Sequence, residues 1–158
     1  VDLKSFDDRH YRRLCGARLA HVLEAIEALA RSGVWLELTT LVISGHNDGD
    51  AELRALARWI VDTLGPATPW HVSRFHPTYQ LNDKPRTPVS TLQQARQIGL
   101  EAGLRHVYEG NVPGEGEDTI CGTCKQTLIE RIGFSVEMNE IRDGHCAHCG
   151  ARVEGVWK

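Results

Sequence analysis

Four cysteines carry the plainest chemistry in the chain. Cys121-Gly-Thr-Cys124 is followed, after 21 intervening residues, by Cys146-Ala-His-Cys149-Gly150. Two CxxC pairs at this separation are the signature of a four-cysteine zinc ribbon. A CxxC turn brings two thiolates to one side, and two such knuckles on facing hairpins complete a tetrahedron. The segment is too short to bury much apolar surface, so metal binding must supply much of its folding free energy, on the order of 10 kcal/mol for structural zinc. Gly144 and Gly150, before and after the second knuckle, suit tight turns. With four protein ligands no position is left for a catalytic water, so the site reads as structural, with rubredoxin-like iron as the alternative to zinc. His145 and His148 beside the second knuckle are expected as exposed turn residues, replacement of a cysteine ligand being the other reading. Cys15 stands alone and is expected to be a small, buried or half-buried residue; nothing beside it in sequence would lower its pKa for a redox role.

Polar residues at the ends of predicted strands are the second candidates. Asp2 and Lys4 lie two apart, so they share one face of a strand and could hold the amino, hydroxyl or carboxylate groups of a ligand, or simply pair with each other. Ser44-Gly45-His46-Asn47-Asp48 follows a strongly apolar strand, and a glycine there lets backbone approach a flat ligand, although the stretch is also a common turn. In Trp70-His-Val-Ser-Arg-Phe-His76, alternation puts Val72, Arg74 and His76 on one face and His71, Ser73 and Phe75 on the other. Arg74 and His76 could bind a carboxylate or move a proton, or His76 could be structural.

The elements that must position these groups follow from periodicity. Helices are expected over about 18–32, from a cap at Asp50 to Leu64, and over about 90–102. Strands are expected at 1–4, 34–43, 70–75 and 105–109, with a long loop from His76 to about Pro88. Strands separated by helices imply βαβ units, a parallel sheet and right-handed crossovers, hence an arc of a (β/α) barrel or part of an open sheet. In either, ligands gather at the C-terminal strand ends. The Gly- and Pro-rich, acidic stretch from Asn111 marks a boundary near 116, dividing residues 1–116 from a ribbon-like β domain at 117–158 with short strands at 127–132 and 134–138.

Composition narrows the function class. The 158 residues are 41% hydrophobic and 25% charged, which suits a globular fold and excludes disordered or collagen-like scaffolds. A net charge of −3 gives no general affinity for nucleic acid or anionic membrane. From Asp118 onward there are five Lys or Arg against six Asp or Glu, and four thiolates on zinc add about two negative charges, so the ribbon lacks a phosphate-binding face. No apolar run approaches the roughly 18 residues of a membrane span, and no secretion signal opens the sequence, so a reducing cytoplasm is the expected location. The absence of an initiator Met suggests a cut-out from a longer protein.

Taken together, Asp2-Leu-Lys4, Leu41-Val-Ile-Ser-Gly45-His-Asn-Asp48 and Trp70 to His76 resemble the latter half of radical S-adenosylmethionine (SAM) enzymes of the pyruvate formate-lyase activating type. The closer resemblance is to the radical SAM member of the AmmeMemoRadiSam system. It is carried by Trp70 to Pro77, by Gly110-Asn-Val-Pro-Gly114, and by a two-knuckle segment ending in Gly155-Val-Trp157, and it covers essentially the whole chain. The resemblance implies the C-terminal half of a partial (β/α)6 barrel that binds SAM and a [4Fe–4S] cluster. Reductive cleavage of SAM would then yield a 5′-deoxyadenosyl radical that abstracts hydrogen from a substrate. It further implies that Asp2 and Lys4 contact the methionyl part of SAM, that Val42, Gly45 and Asp48 lie near the nucleoside, and that His76 lies near the ribose or methionine, with Arg74 beside it. Ser44 stands where the family commonly has Pro, and neither the three-cysteine CxxxCxxC cluster motif nor the Gly-rich SAM motif occurs in this sequence. The ribbon cysteines, paired for a tetrahedral ion, do not replace that motif. The chain alone is therefore expected to be inactive and, with sheet edges exposed, to self-associate or be poorly soluble. A protein substrate or partner from the same gene system is implied. The competing reading is a non-catalytic, partner-binding zinc-ribbon module on an α/β scaffold.

Overall fold

The computed structural model describes residues 1–112 and 114–157, with Glu115 described by its backbone alone. Pro113 of the Gly110–Gly114 stretch and Lys158 of the ribbon charge count lie outside the described residues.

The chain begins as a short extended segment that pairs in parallel with β1 (Leu38–Val42), through an Asp2–Thr39 bridge and N–H···O bonds of 2.9 Å from Leu3 to Thr39 and from Thr39 to Val1. β1 pairs in parallel with β2 (Trp70–Arg74), and β2 with β3 (Val107–Gly110). Strands thus stand in space in their sequence order, each joined to the next through a helix. The expected mixed α/β class with a parallel sheet is observed.

Three amphipathic helices make the crossovers: α2 (Leu19–Arg31), α3 (Asp50–Trp59) and α4 (Val89–Ala102). Crossovers of one hand between sequence-adjacent strands put every helix on the same sheet face. Accordingly Ile26, Leu53, Leu56, Leu92 and Ile98 share one core with Leu38, Val42, Trp70, Val72 and Val107. Helix α4 lies close to the sheet at Gly99, where a Cβ would stand 2.9 Å from both the Trp70 ring and a Val107 methyl, so only glycine fits. The opposite face, bearing Thr39, Leu41, His71, Ser73 and Tyr108, is free of these three crossover helices.

Several expectations are corrected. Residues Asp8–His10 form α1, which continues as a π-helical turn over Tyr11–Cys15; it is too short for periodicity to reveal, and Asp7 caps it by accepting from the Arg9 N–H. Its outward end leaves Cys15 exposed rather than in the core, since only Tyr11 of that turn is buried. The strand expected from Val34 starts at Leu38, leaving Val34 and Trp35 exposed. The cap of α3 is Gly49, not Asp50, whose carboxylate instead accepts from Gln94 at 2.6 Å. The end of that helix widens into a π-helical turn at Ile60–Leu64 before Gly65.

Beyond β3, β4 (Thr119–Ile120), β5 (Thr127–Ile132) and β6 (Ser135–Asn139) form an antiparallel sheet, and β7 (Ile141–Arg142) pairs with β8 (His145–Cys146). This part has its own small core of Leu128, Ile129, Ile141 and Val153 around Cys121 and Cys146. It meets the parallel sheet through polar contacts. Glu154 pairs with Arg105 and lies 3.3 Å from His106, and the Tyr108 hydroxyl lies 3.0 Å from Thr119 Oγ1. Among the described residues no helix is long and apolar enough to cross a membrane.

Candidate functional site

The two CxxC turns are built alike. In the first, Cys121 donates its N–H to the Gln126 carbonyl (2.8 Å) and Lys125 donates to the Cys121 carbonyl (3.1 Å). In the second, Cys146 donates to Ala151 and Gly150 to Cys146, both at 2.8 Å. Lys125 (φ 64°) and Gly150 (φ 72°) occupy the same left-handed slot that closes each turn. The turns face each other so that the ligand atoms of Cys121, Cys124, Cys146 and Cys149 all lie within 4.8 Å of one another. Two of the pairs run across the two knuckles: Cys121 to Cys149 and Cys124 to Cys146, each 3.7 Å. A tetrahedral ion with metal–sulfur bonds of about 2.3 Å requires sulfur–sulfur edges of about 3.8 Å, so the set fits such an ion, whereas a disulfide needs about 2 Å. It is the one group of potential metal ligands gathered among the described residues.

The sulfurs are electrostatically unequal. The Cys124 N–H donates to Cys121 Sγ at 3.5 Å and, outweighing burial, helps hold that thiol down at about 6. At Cys149 the Ala151 N–H pulls the same way, but the neighbouring sulfurs and burial win and push the thiol up to about 12. His145 and His148 are exposed and outside the cluster, and His145 Nδ1 lies 2.8 Å from the Asp143 carbonyl. Trp157 donates its indole N–H to the Val153 carbonyl at 2.9 Å and covers Gly144, where a Cβ would stand 2.7 Å from the ring.

The strand-end residues are placed as follows. Asp2 and Lys4 form an ion pair of 3.4 Å, both half-exposed, and the Asp2–Thr39 register puts Asp2 on the helix-free face. Gly45, at φ 74°, donates its N–H to Asp48 Oδ1 at 2.9 Å, so the Asp48 carboxylate closes the turn. Open space lies before Gly45, where a Cβ would meet nothing within 4 Å. Asn47, fully buried, ties this turn to the first strand: its side chain accepts from Ile43 N–H (2.7 Å) and donates to the Lys4 (2.6 Å) and Leu41 (2.9 Å) carbonyls. Val42 is buried in the core, and its carbonyl accepts from the Thr87 hydroxyl at 2.6 Å. Arg74 lies in register with Val42 and donates from Nε to the Thr87 carbonyl at 2.7 Å, so Thr87 joins the ends of β1 and β2. His76 is exposed, and no hydrogen bond or ion pair joins it to the others among the described residues.

A polar group that the sequence did not single out lies on the helix-free face. His71 Nε2 and Glu37 Oε2 are 2.8 Å apart, and Trp35 donates its indole N–H to the other Glu37 oxygen at 2.9 Å. The His71 contact, outweighing burial, holds the Glu37 carboxyl down at about 2. Tyr108 packs against His71 with ring centroids 5.2 Å apart, and the Arg131 guanidinium from β5 sits 5.6 Å above the tyrosine ring. Arg131 is anchored by bonds to the Glu117 carbonyl (3.0 Å) and Thr119 hydroxyl (2.9 Å). Glu37, His71, Tyr108, Glu117 and Arg131 line a cleft of about 780 Å³ between the sheet and the β5–β6 hairpin. Strand alternation separated His71 from Arg74, but nothing local identified which face the helices would leave bare.

No known family profile matches the chain. It is 40% identical over 159 aligned residues to uncharacterized protein MJ0808 of Methanocaldococcus jannaschii, an alignment that takes in 99% of this chain and 47% of that protein. A crystal structure of a domain of pyruvate-formate lyase-activating enzyme from Bacteroides vulgatus superposes with a TM-score of 0.61 at 19% identity, covering 70% of this chain and 65% of that one. The chain thus spans about half the length of the curated relative it matches, and shares the fold of the activating-enzyme domain.

Proposed function

We propose that this chain is the C-terminal portion of a radical SAM enzyme of the pyruvate formate-lyase activating type, and specifically of the AmmeMemoRadiSam kind. The observation that carries the reading is the sequential parallel sheet with its crossover helices packed in one core, the fold shared with the activating-enzyme domain. On this reading residues 1–116 are an arc of a partial barrel and 117–158 a ribbon, in keeping with their separate cores. The Asp2–Lys4 pair offers opposite charges suited to the amino and carboxylate groups of a methionyl moiety. The open space before Gly45 suits close approach of the nucleoside to backbone. Arg74 and His76, at and beyond the end of β2, complete the proposed contact set with Val42 and Asp48.

SAM with a [4Fe–4S] cluster supplies 5′-deoxyadenosyl radical chemistry, which would abstract hydrogen from the enzyme's substrate. The four thiolates of this chain do not fit the cluster, because their separations match a single tetrahedral ion with every position filled by protein. The cluster ligands of the proposed enzyme therefore lie outside this chain. The four-cysteine ion is proposed as structural zinc, and the location as cytoplasmic. The exposed Ile132, Phe134 and Val136 favour a second reading, a non-catalytic module whose ribbon contacts another protein.

The deciding experiment uses the native gene product, reconstituted anaerobically with iron and sulfide and supplied with SAM and dithionite. Formation of 5′-deoxyadenosine and methionine is the expected result. A native product that lacks a CxxxCxxC motif and releases no 5′-deoxyadenosine overturns the proposal and leaves the module reading.

A further inference from the structure

We propose that the cleft between the helix-free sheet face and the β5–β6 hairpin is a binding site for an amine carried on an apolar or aromatic body, with the Glu37–His71 pair as its polar end. The inference does not depend on radical chemistry. Three observations carry it.

The cleft is large enough for a small ligand, at about 780 Å³. Its walls come from two independently cored parts of the chain, and a seam between units is where ligand sites concentrate.

The charges inside are unbalanced toward acceptors. Glu37 keeps its negative charge at neutral pH, and Glu117 also lines the cleft. Against these carboxylates the lining offers one guanidinium, Arg131, whose Nη1 is held by the Thr119 hydroxyl and the Glu117 carbonyl and which lies over the Tyr108 ring. His71 Nε2, 2.8 Å from Glu37 Oε2, fixes the carboxylate at the edge of the cleft. A ligand that donates hydrogen bonds and carries positive charge complements this arrangement, and an anion does not.

The cleft also has an apolar lining, from the Tyr108 ring, Val112, and Ile132 and Phe134 of the hairpin, beside the polar Glu109 and Asn111. Phe134 is fully exposed and Ile132 largely so, and two large apolar side chains held in water at the lip of a polar cleft suit contact with a ligand's apolar body.

The test compares benzylamine with benzoate, which match in size and differ in the sign of charge, by titration into the full chain followed by amide NMR shifts. Benzylamine should shift Tyr108, Gly110 and Gly133 saturably, while benzoate leaves them in place. Glu37→Gln should weaken benzylamine about tenfold, the loss of one hydrogen bond to a charged group. Phe134→Ser, at an exposed position that does not support the fold, should weaken it as well. Equal binding of benzoate, unchanged affinity in Glu37→Gln with a native spectrum, or no saturable shift from either probe overturns the assignment.

Discussion

Replacement of Cys121 by serine tests the metal centre most directly. Cys121 is buried and contributes to the cross-knuckle edge with Cys149 at 3.7 Å. The small core it belongs to holds four buried aliphatic residues, Leu128, Ile129, Ile141 and Val153. At about 1.5–3 kcal/mol each, they supply about 6–12 kcal/mol of burial free energy. A structural zinc supplies about 10–16 kcal/mol, so the ion is comparable to the whole apolar core of this unit. Removing one of four thiolates therefore takes away a contribution as large as that core, while the parallel sheet keeps its own core of Ile26, Leu53, Trp70 and Ile98. Metal analysis of the wild type should give about one ion per chain, and the Cys121→Ser protein well below one. Hydrogen exchange resolved by peptide should show residues 119–153 losing protection and residues 38–110 retaining it. A metal-free variant whose tail amides stay protected at wild-type levels refutes the reasoning, because the apolar core would then suffice.

Two further perturbations probe the sheet. Asn47→Ala leaves the Ile43 N–H and the Lys4 and Leu41 carbonyls without partners, and should cost about 2–3 kcal/mol in urea unfolding, with faster exchange at residues 1–5; unchanged exchange there would show that the turn does not hold the first strand. Glu37 has its folded pKa depressed from 4.5 to about 2, so the stability it contributes is present above about 4.5 and is lost as pH falls toward 2. Its side chain is 46% exposed, and solvent screening reduces the contribution to about 1 kcal/mol. Glu37→Gln should accordingly lose less stability than the wild type between pH 6 and pH 3, and identical losses would show the pair to be energetically silent.

What was legible in the sequence was what is local. Leu53, Leu56 and Ile60, or Leu92, Ala95 and Ile98, repeat at helical spacing and are buried as that spacing demands. The two knuckles were legible because each is fixed by residues within one tight turn. Val34 and Trp35 misled because apolar composition alone cannot tell a buried strand from an exposed approach to one, and here Trp35 turns outward to bond Glu37. Asp50 misled because a cap needs an extended backbone, which Gly49 provides at φ −72° and ψ 133°. The Glu37, His71, Tyr108 and Arg131 group was not legible for a different reason. Its members come from a pre-strand loop, two parallel strands and a distant hairpin, and only the register Thr39–His71–Tyr108 and the docking of β5 bring them together.

The cross-knuckle contacts set what the ion does to the chain. Cys121 to Cys149 and Cys124 to Cys146 span 28 and 22 residues, so a bound ion closes long loops that neither CxxC turn closes by itself. Loss of the ion reopens both loops at once, which makes release of the metal and separation of the hairpins a single event.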